Sequence, residues 1–81
     1  MRIKEIRGFR DAPEFKPFTL CLADGRAITV RGRDFLMASP SGRTVIVYQF
    51  DDSFDVVDVM LVTSLHVDAP NGRAKRKSGR K

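Results

Sequence analysis

A single cysteine, Cys21, stands in this 81-residue chain, which rules out an intramolecular disulfide and any cysteine-rich zinc site. Tryptophan is absent. No apolar run approaches the roughly 20 residues of a membrane-spanning helix, and the opening MRIKEIRGFR is charged throughout, with no apolar stretch like that of a signal segment. A cytoplasmic location without membrane contact is the expectation. Glycine-rich phosphate loops are missing too, since Ser39–Arg43 holds one glycine and no helical pattern follows it. The acidic stretch Asp51–Asp58 has neither the glycine nor the closing glutamate of a calcium loop. On a strand, Asp52, Asp55 and Asp58 would alternate faces and could not converge on a metal. His66 has only Asp68 as a same-face neighbour, and Cys21 has no base near it in sequence. These absences argue against an enzyme and imply no cofactor and no metal.

Charge is abundant but unevenly placed. The last eleven residues, Asn71–Lys81, carry Arg73, Lys75, Arg76, Lys77, Arg80 and Lys81 and no acid, a charge of +6. Residues 1–70 sum to −1, so the net +5 describes the tail rather than the body. Within the body, residues 1–43 carry +4 and residues 44–70 carry −5. Kept on separate faces, those halves would favour association with further copies.

The apolar pattern is that of strands. Thr44–Tyr48 is an unbroken run of β-branched and aromatic residues, types whose stiff side chains fit a pleated surface, and it reads as the central strand within Arg43–Phe50. Asp51-Asp52-Ser53 breaks it, and Phe54–Val62 resumes it, with a 3₁₀ turn expected over Asp58–Leu61. Upstream, Phe18, Leu20 and Leu22 alternate with polar or small residues, Asp24-Gly25 reads as a two-residue hairpin turn with both residues at positive φ, and Ile28 and Val30 return on the buried side. Gly32 then marks a bulge or bend in a long second strand. Ser39–Gly42 is a turn, and Thr63–Val67 a closing strand with Leu65 and Val67 inward. Before all of these, Ile3, Ile6 and Phe9 form one apolar stripe among charges, which predicts a short helix ending near Asp11 ahead of Pro13.

The expected fold is therefore mainly β with one short N-terminal helix: a small five-stranded SH3-like or Sm-like barrel, or a strongly bent antiparallel sheet. One domain spans residues 1–68. Residues 69–81, opened by the breaker cluster Ala69–Gly72 and with no apolar side chain larger than alanine after it, form a disordered basic tail.

The order helix, hairpin, bent strand, hairpin and closing strand, with Leu22-Ala23-Asp24-Gly25 at the first hairpin and Leu61-Val62-Thr63-Ser64-Leu65 at the last strand, resembles the Sm-like proteins over about residues 3–68. The likeness is to the Hfq-type RNA chaperones in particular. It implies a barrel, a ring built by strand pairing between subunits, and RNA as ligand. Asp58 and Val59 stand where those proteins carry a basic residue and a histidine, so their uridine pocket is implied for no residue here. The pattern FKPFTL, LADGR and SPSGRTVIVY also resembles short bacterial proteins that imply no activity.

The expected role is non-enzymatic nucleic-acid binding, RNA before DNA. The six basic residues of the tail would contact phosphates by counterion release. Arg26, Arg31, Arg33 and Arg43 would extend the basic surface if hairpin and loop bring them together, and Tyr48 and Phe50 would offer a stacking platform. The alternative is a protein-interaction or assembly module, including self-association through strand edges, with the tail only solubilising.

Overall fold

The computed structural model describes residues 1–68; the expected basic tail, residues 69–81, lies outside the described residues. Helix α1 (Ile3–Arg10) is followed by β1 (Phe18–Leu22), β2 (Ala27–Val30), a 3₁₀ turn at Arg33–Phe35, β3 (Leu36–Ala38), β4 (Thr44–Tyr48), β5 (Phe54–Asp58), a second 3₁₀ turn at Val59–Leu61, and β6 (Val62–Val67). Two three-stranded antiparallel sheets result, in the orders β2-β1-β6 and β3-β4-β5.

The mainly β architecture with one short helix is as expected; its finer form is not. There are six strands rather than five, and among the described residues no barrel closes. The long second strand is broken rather than bent. Gly32 is extended (φ −164°), and the chain then winds into the Arg33–Phe35 turn, whose Phe35 ring lies so near that a β-carbon on Gly32 would sit 3.1 Å from it. β2 and β3 thus end as separate strands in separate sheets.

Alternation along the strands builds the core between the sheets. Phe18, Leu20 and Leu22 of β1, Ile28 and Val30 of β2, Val45 and Val47 of β4, Val57 of β5 and Val62 of β6 are all buried, and Ile6 of α1 closes one side. Of the helix's apolar stripe, Ile6 is buried and Ile3 packs partly on the core, while Phe9 stays exposed with its ring 5.7 Å from that of Phe18. The helix end is fixed by the Asp11 N–H donating to the Arg7 carbonyl (2.8 Å) ahead of Pro13, and its start by the Glu5 carboxylate accepting from the Arg2 N–H (3.1 Å).

Three hairpin loops use one device. In each, an N–H to C=O bond closes a tight turn and the residue that donates it is left-handed: Gly25 N–H to Leu22 (3.0 Å), Gly42 N–H to Ser39 (2.9 Å), and Asp52 N–H to Gln49 (3.1 Å). Gly25, Gly42 and Asp52 have φ of 93°, 76° and 72°. The Asp24-Gly25 expectation is corrected accordingly, because Asp52 alone among the described non-glycine residues has positive φ. Asp24 sits inside the tight turn, Gly25 supplies the left-handed step, and the Leu22 N–H donates to the Arg26 carbonyl (2.9 Å) to restart pairing.

Gly42 has a second constraint, since a β-carbon there would lie 2.7 Å from Ile3 Cγ2 of the helix. Gly42→Ala should therefore lower unfolding free energy by about 2 kcal/mol or more, combining left-handed strain with displacement of α1. Asp52→Gly, which removes a β-carbon from the same backbone conformation, should not lower it. Urea denaturation of the two variants checks both.

Candidate nucleic-acid interface

Each body arginine expected on a basic surface is placed by a different element. Arg26 follows the first hairpin turn, where its backbone N–H (3.0 Å) and guanidinium (2.9 Å) both donate to Asp24. Those bonds, the backbone one foremost, hold the Asp24 carboxyl below its ordinary value of 3.8. Arg33 is spent on the helix end: its Nε donates to the Arg10 carbonyl (2.9 Å) and its Nη2 to the Ala12 carbonyl (2.6 Å), with the guanidinium 5.9 Å from the Phe15 ring centre. Arg43 precedes β4, and its carbonyl accepts from the Val59 N–H (2.9 Å). Arg31 leaves β2 at the far end.

These four positions do not form one patch but divide between two ends of the fold. Arg26 and Arg31 flank β2, about 16 Å apart at roughly 3.3 Å per residue. Arg43 and Gln49, which bonds Arg31, are separated by the length of β4, about 20 Å by the same rise. Backbone bonds from Ala23 to Leu61 and from Val59 to Arg43 put the Arg26 and Arg43 segments beside the Val59–Leu61 turn, while Arg31 and Arg33 lie toward the other end, beside the Arg33–Phe35 turn. Arg73, Lys75, Arg76, Lys77, Arg80 and Lys81 lie outside the described residues.

Around Arg31 the fold assembles a cluster that sequence spacing does not display. The Arg31 Nε donates to Gln49 Oε1 (3.0 Å), and Gln49 Nε2 in turn donates to the Thr29 carbonyl (3.3 Å), bridging the two sheets. The guanidinium stands 5.5 Å from the centre of the Phe50 ring, and Phe35 meets Phe50 edge-on, with centroids 5.2 Å apart and planes at 77°. Phe50 is 73% exposed. Phe50 lies in the turn after β4, not on the strand with Tyr48, which packs instead on Phe54 at 5.5 Å. The expected Tyr48–Phe50 platform is therefore divided in two. Acids adjoin the cluster: Asp51 and Asp52 follow Phe50, and Asp51 is held below its ordinary 3.8 by the hydroxyl and N–H of Ser53.

The outer face of the first sheet brings other polar side chains together. Cys21 opposes Ser64, and Thr19 opposes both His66 and Thr29. Thr19 and Thr29 share a hydroxyl hydrogen bond (3.1 Å), and His66 Nε2 pairs with Asp68 (2.9 Å). Cys21 and His66 are diagonal neighbours, about 7–8 Å apart at the backbone, and no hydrogen bond joins them. The His66 side chain there is 64% exposed. No group of three metal-ligating side chains occurs among the described residues, and none of the helices is long and apolar enough to cross a membrane.

Comparisons of the chain with protein-family models, with curated proteins and with solved structures find no match.

Two outcomes follow for the charges just placed. Arg33→Ala should cost about 1 kcal/mol of stability, by leaving the Arg10 and Ala12 carbonyls to water alone; thermal unfolding measures it. Asp11, lowered chiefly by its hydrogen bond to Arg10, and Asp24 and Asp51 all have depressed folded values. A depressed carboxyl contributes stability that is complete above its ordinary value and disappears as pH falls through the folded one. Unfolding free energy should thus be flat near neutrality and fall as the pH drops below about 4, which a denaturation series against pH checks.

Proposed function

We propose that the protein is a small non-enzymatic binder of single-stranded nucleic acid, RNA before DNA, with Phe50 and Arg31 as the stacking site on the folded body and the basic tail as the phosphate anchor. The observation that carries this reading is an exposed aromatic ring bearing a guanidinium on one side and braced edge-on by a second ring. Single-strand binders stack bases on such surfaces without reading sequence, at about 1–3 kcal/mol per base. Gln49 holds Arg31 in place, so little side-chain entropy is lost on binding.

The tail's charge of +6 supports the same reading, because a body of charge near zero with Asp51 and Asp52 beside the stack attracts phosphates weakly on its own. The Sm-like resemblance supports RNA as the first choice.

A second reading, a protein-interaction module, is favoured by one specific observation. The outer face of the β3-β4-β5 sheet is apolar and exposed over Met37, Val56 and Phe54.

Fluorescence anisotropy with labelled oligouridine RNA, the matching single-stranded DNA and a duplex tests the first reading. Phe50→Ala should weaken single-strand binding roughly 5- to 100-fold at fixed salt while leaving the salt slope unchanged. Ending the chain at Pro70 should flatten that slope by about four, for six lost cations on a single strand. Equal affinity for Phe50→Ala and the parent chain, or a preference for duplex, would sink the stacking site.

A further inference from the structure

The outer face of the second sheet is built as if to be covered. Strand register aligns Met37, Ile46 and Val56 in one row across all three strands, and Tyr48 with Phe54 in a second row. Met37, Val56 and Phe54 are each more than half exposed. The third row holds Thr44 and Asp58, so the face carries a single charge, at one corner. A patch of this kind on a small domain usually marks an interface.

The sheet's two free edges are poorer candidates, since β3 is only three residues long and β5 carries charge. On β5, Asp55 opposes Val47 and points to the inner side with Val57, and Asp51, Asp52 and Asp58 flank the strand. An inward-pointing charge on an edge strand obstructs pairing with another strand. Nor does the face suit a polyanion, since its only charge and the nearest ones in β5 and its turn are carboxylates.

We propose that this face is where a second copy of the chain docks, sheet upon sheet, about a two-fold axis running along β4. Shape argues for that axis. Beside the exposed Val56 and Phe54 of β5, the opposite side of the face holds a shallow depression lined by Met37, Ser39, Pro40, Thr44 and Ile46. A two-fold along β4 lays β5 of one copy over β3 of the other, so Val56 enters the depression of its mate and the contact is made twice. Charge argues for it as well. The same operation sets Asp58 over the Ser39–Arg43 loop of the other copy, where Arg43 is exposed and makes no salt bridge among the described residues. The perpendicular in-plane axis would instead stack β5 on β5 and set carboxylates against one another.

The face is three strands wide and five residues long, about 14 by 17 Å. That is below the roughly 800 Å² per partner of a standard stable interface. The association is therefore weak and reversible.

Sedimentation equilibrium of the full chain over a wide concentration range tests this. The expected result is a monomer–dimer equilibrium that Val56→Lys weakens by about 100-fold or more, and that Val56→Thr, which keeps the β-branched shape, weakens by about 10-fold; circular dichroism confirms that both variants fold. Arg43→Asp should weaken it, and Arg43→Asp with Asp58→Arg should restore it. A monomer at every concentration, a dimer indifferent to both Val56 variants, or assemblies larger than a dimer would overturn the proposal.

Discussion

Twelve apolar side chains are buried and no polar one is among the described residues, so the whole fold depends on hydrophobic contact across one seam between two small sheets. β1, β2 and β4 spend alternate residues on that seam, while β3, β5 and β6 each bury one, Leu36, Val57 and Val62. With a single cysteine and no metal ligand cluster among the described residues, each methyl group counts: truncating a buried leucine or isoleucine to alanine costs about 2–5 kcal/mol, against a total stability of about 5–15 kcal/mol for domains in general. The helix belongs to the same seam. It is too short to hold itself, and Ile6 binds it to the core while Arg33 grips the carbonyl of its last residue, Arg10, and that of Ala12 just beyond.

That division of labour explains the arginines. Arg33 and Arg26 look equivalent to Arg31 and Arg43 as exposed cations, yet the first two are occupied by backbone carbonyls and by Asp24. Arg31 is set on an aromatic ring, and Arg43 stands beside the acidic β5 segment without an ion pair of its own among the described residues. Exposed pairs such as Arg26–Asp24 contribute little to stability, so their effect is to remove cations from the surface available to an anion. What remains is a body of two characters: an aromatic–guanidinium cluster at one end and an uncharged apolar sheet face with a carboxylate corner.

Most of the element order was legible because it rests on local chemistry. The Ile3-Ile6-Phe9 stripe, the alternation of Phe18–Leu22, the run Thr44–Tyr48 and the Asp58–Leu61 turn each announce their own conformation within a few residues. Gly32 was legible as an irregularity, but whether a strand bends or breaks there depends on Phe35 packing over it, which sequence spacing does not reveal. Asp24-Gly25 misled for a related reason: a three-residue loop with one left-handed glycine and a two-residue loop share the same dipeptide. The Arg31–Gln49–Phe50–Phe35 cluster joins two separate segments, Arg31–Phe35 and Gln49-Phe50, and leaves no local mark. The apolar outer face was hidden differently. Thr44–Tyr48 is apolar at nearly every position, so its pattern does not say that Val45 and Val47 turn inward while Ile46 and Tyr48 turn out.

β1 sits at the middle of its sheet with partners of very different origin. β2 reaches it through a single tight turn, whereas β6 must return from the other end of the described chain to pair Val67 with Phe18. Hairpin formation is fast and loop closure over long separations is slow. The β1–β2, β3–β4 and β4–β5 hairpins can therefore form early and independently, and the arrival of β6 is the step that commits the molecule. The same strand is the natural first to leave, so opening of the structure begins at the β1–β6 pairing.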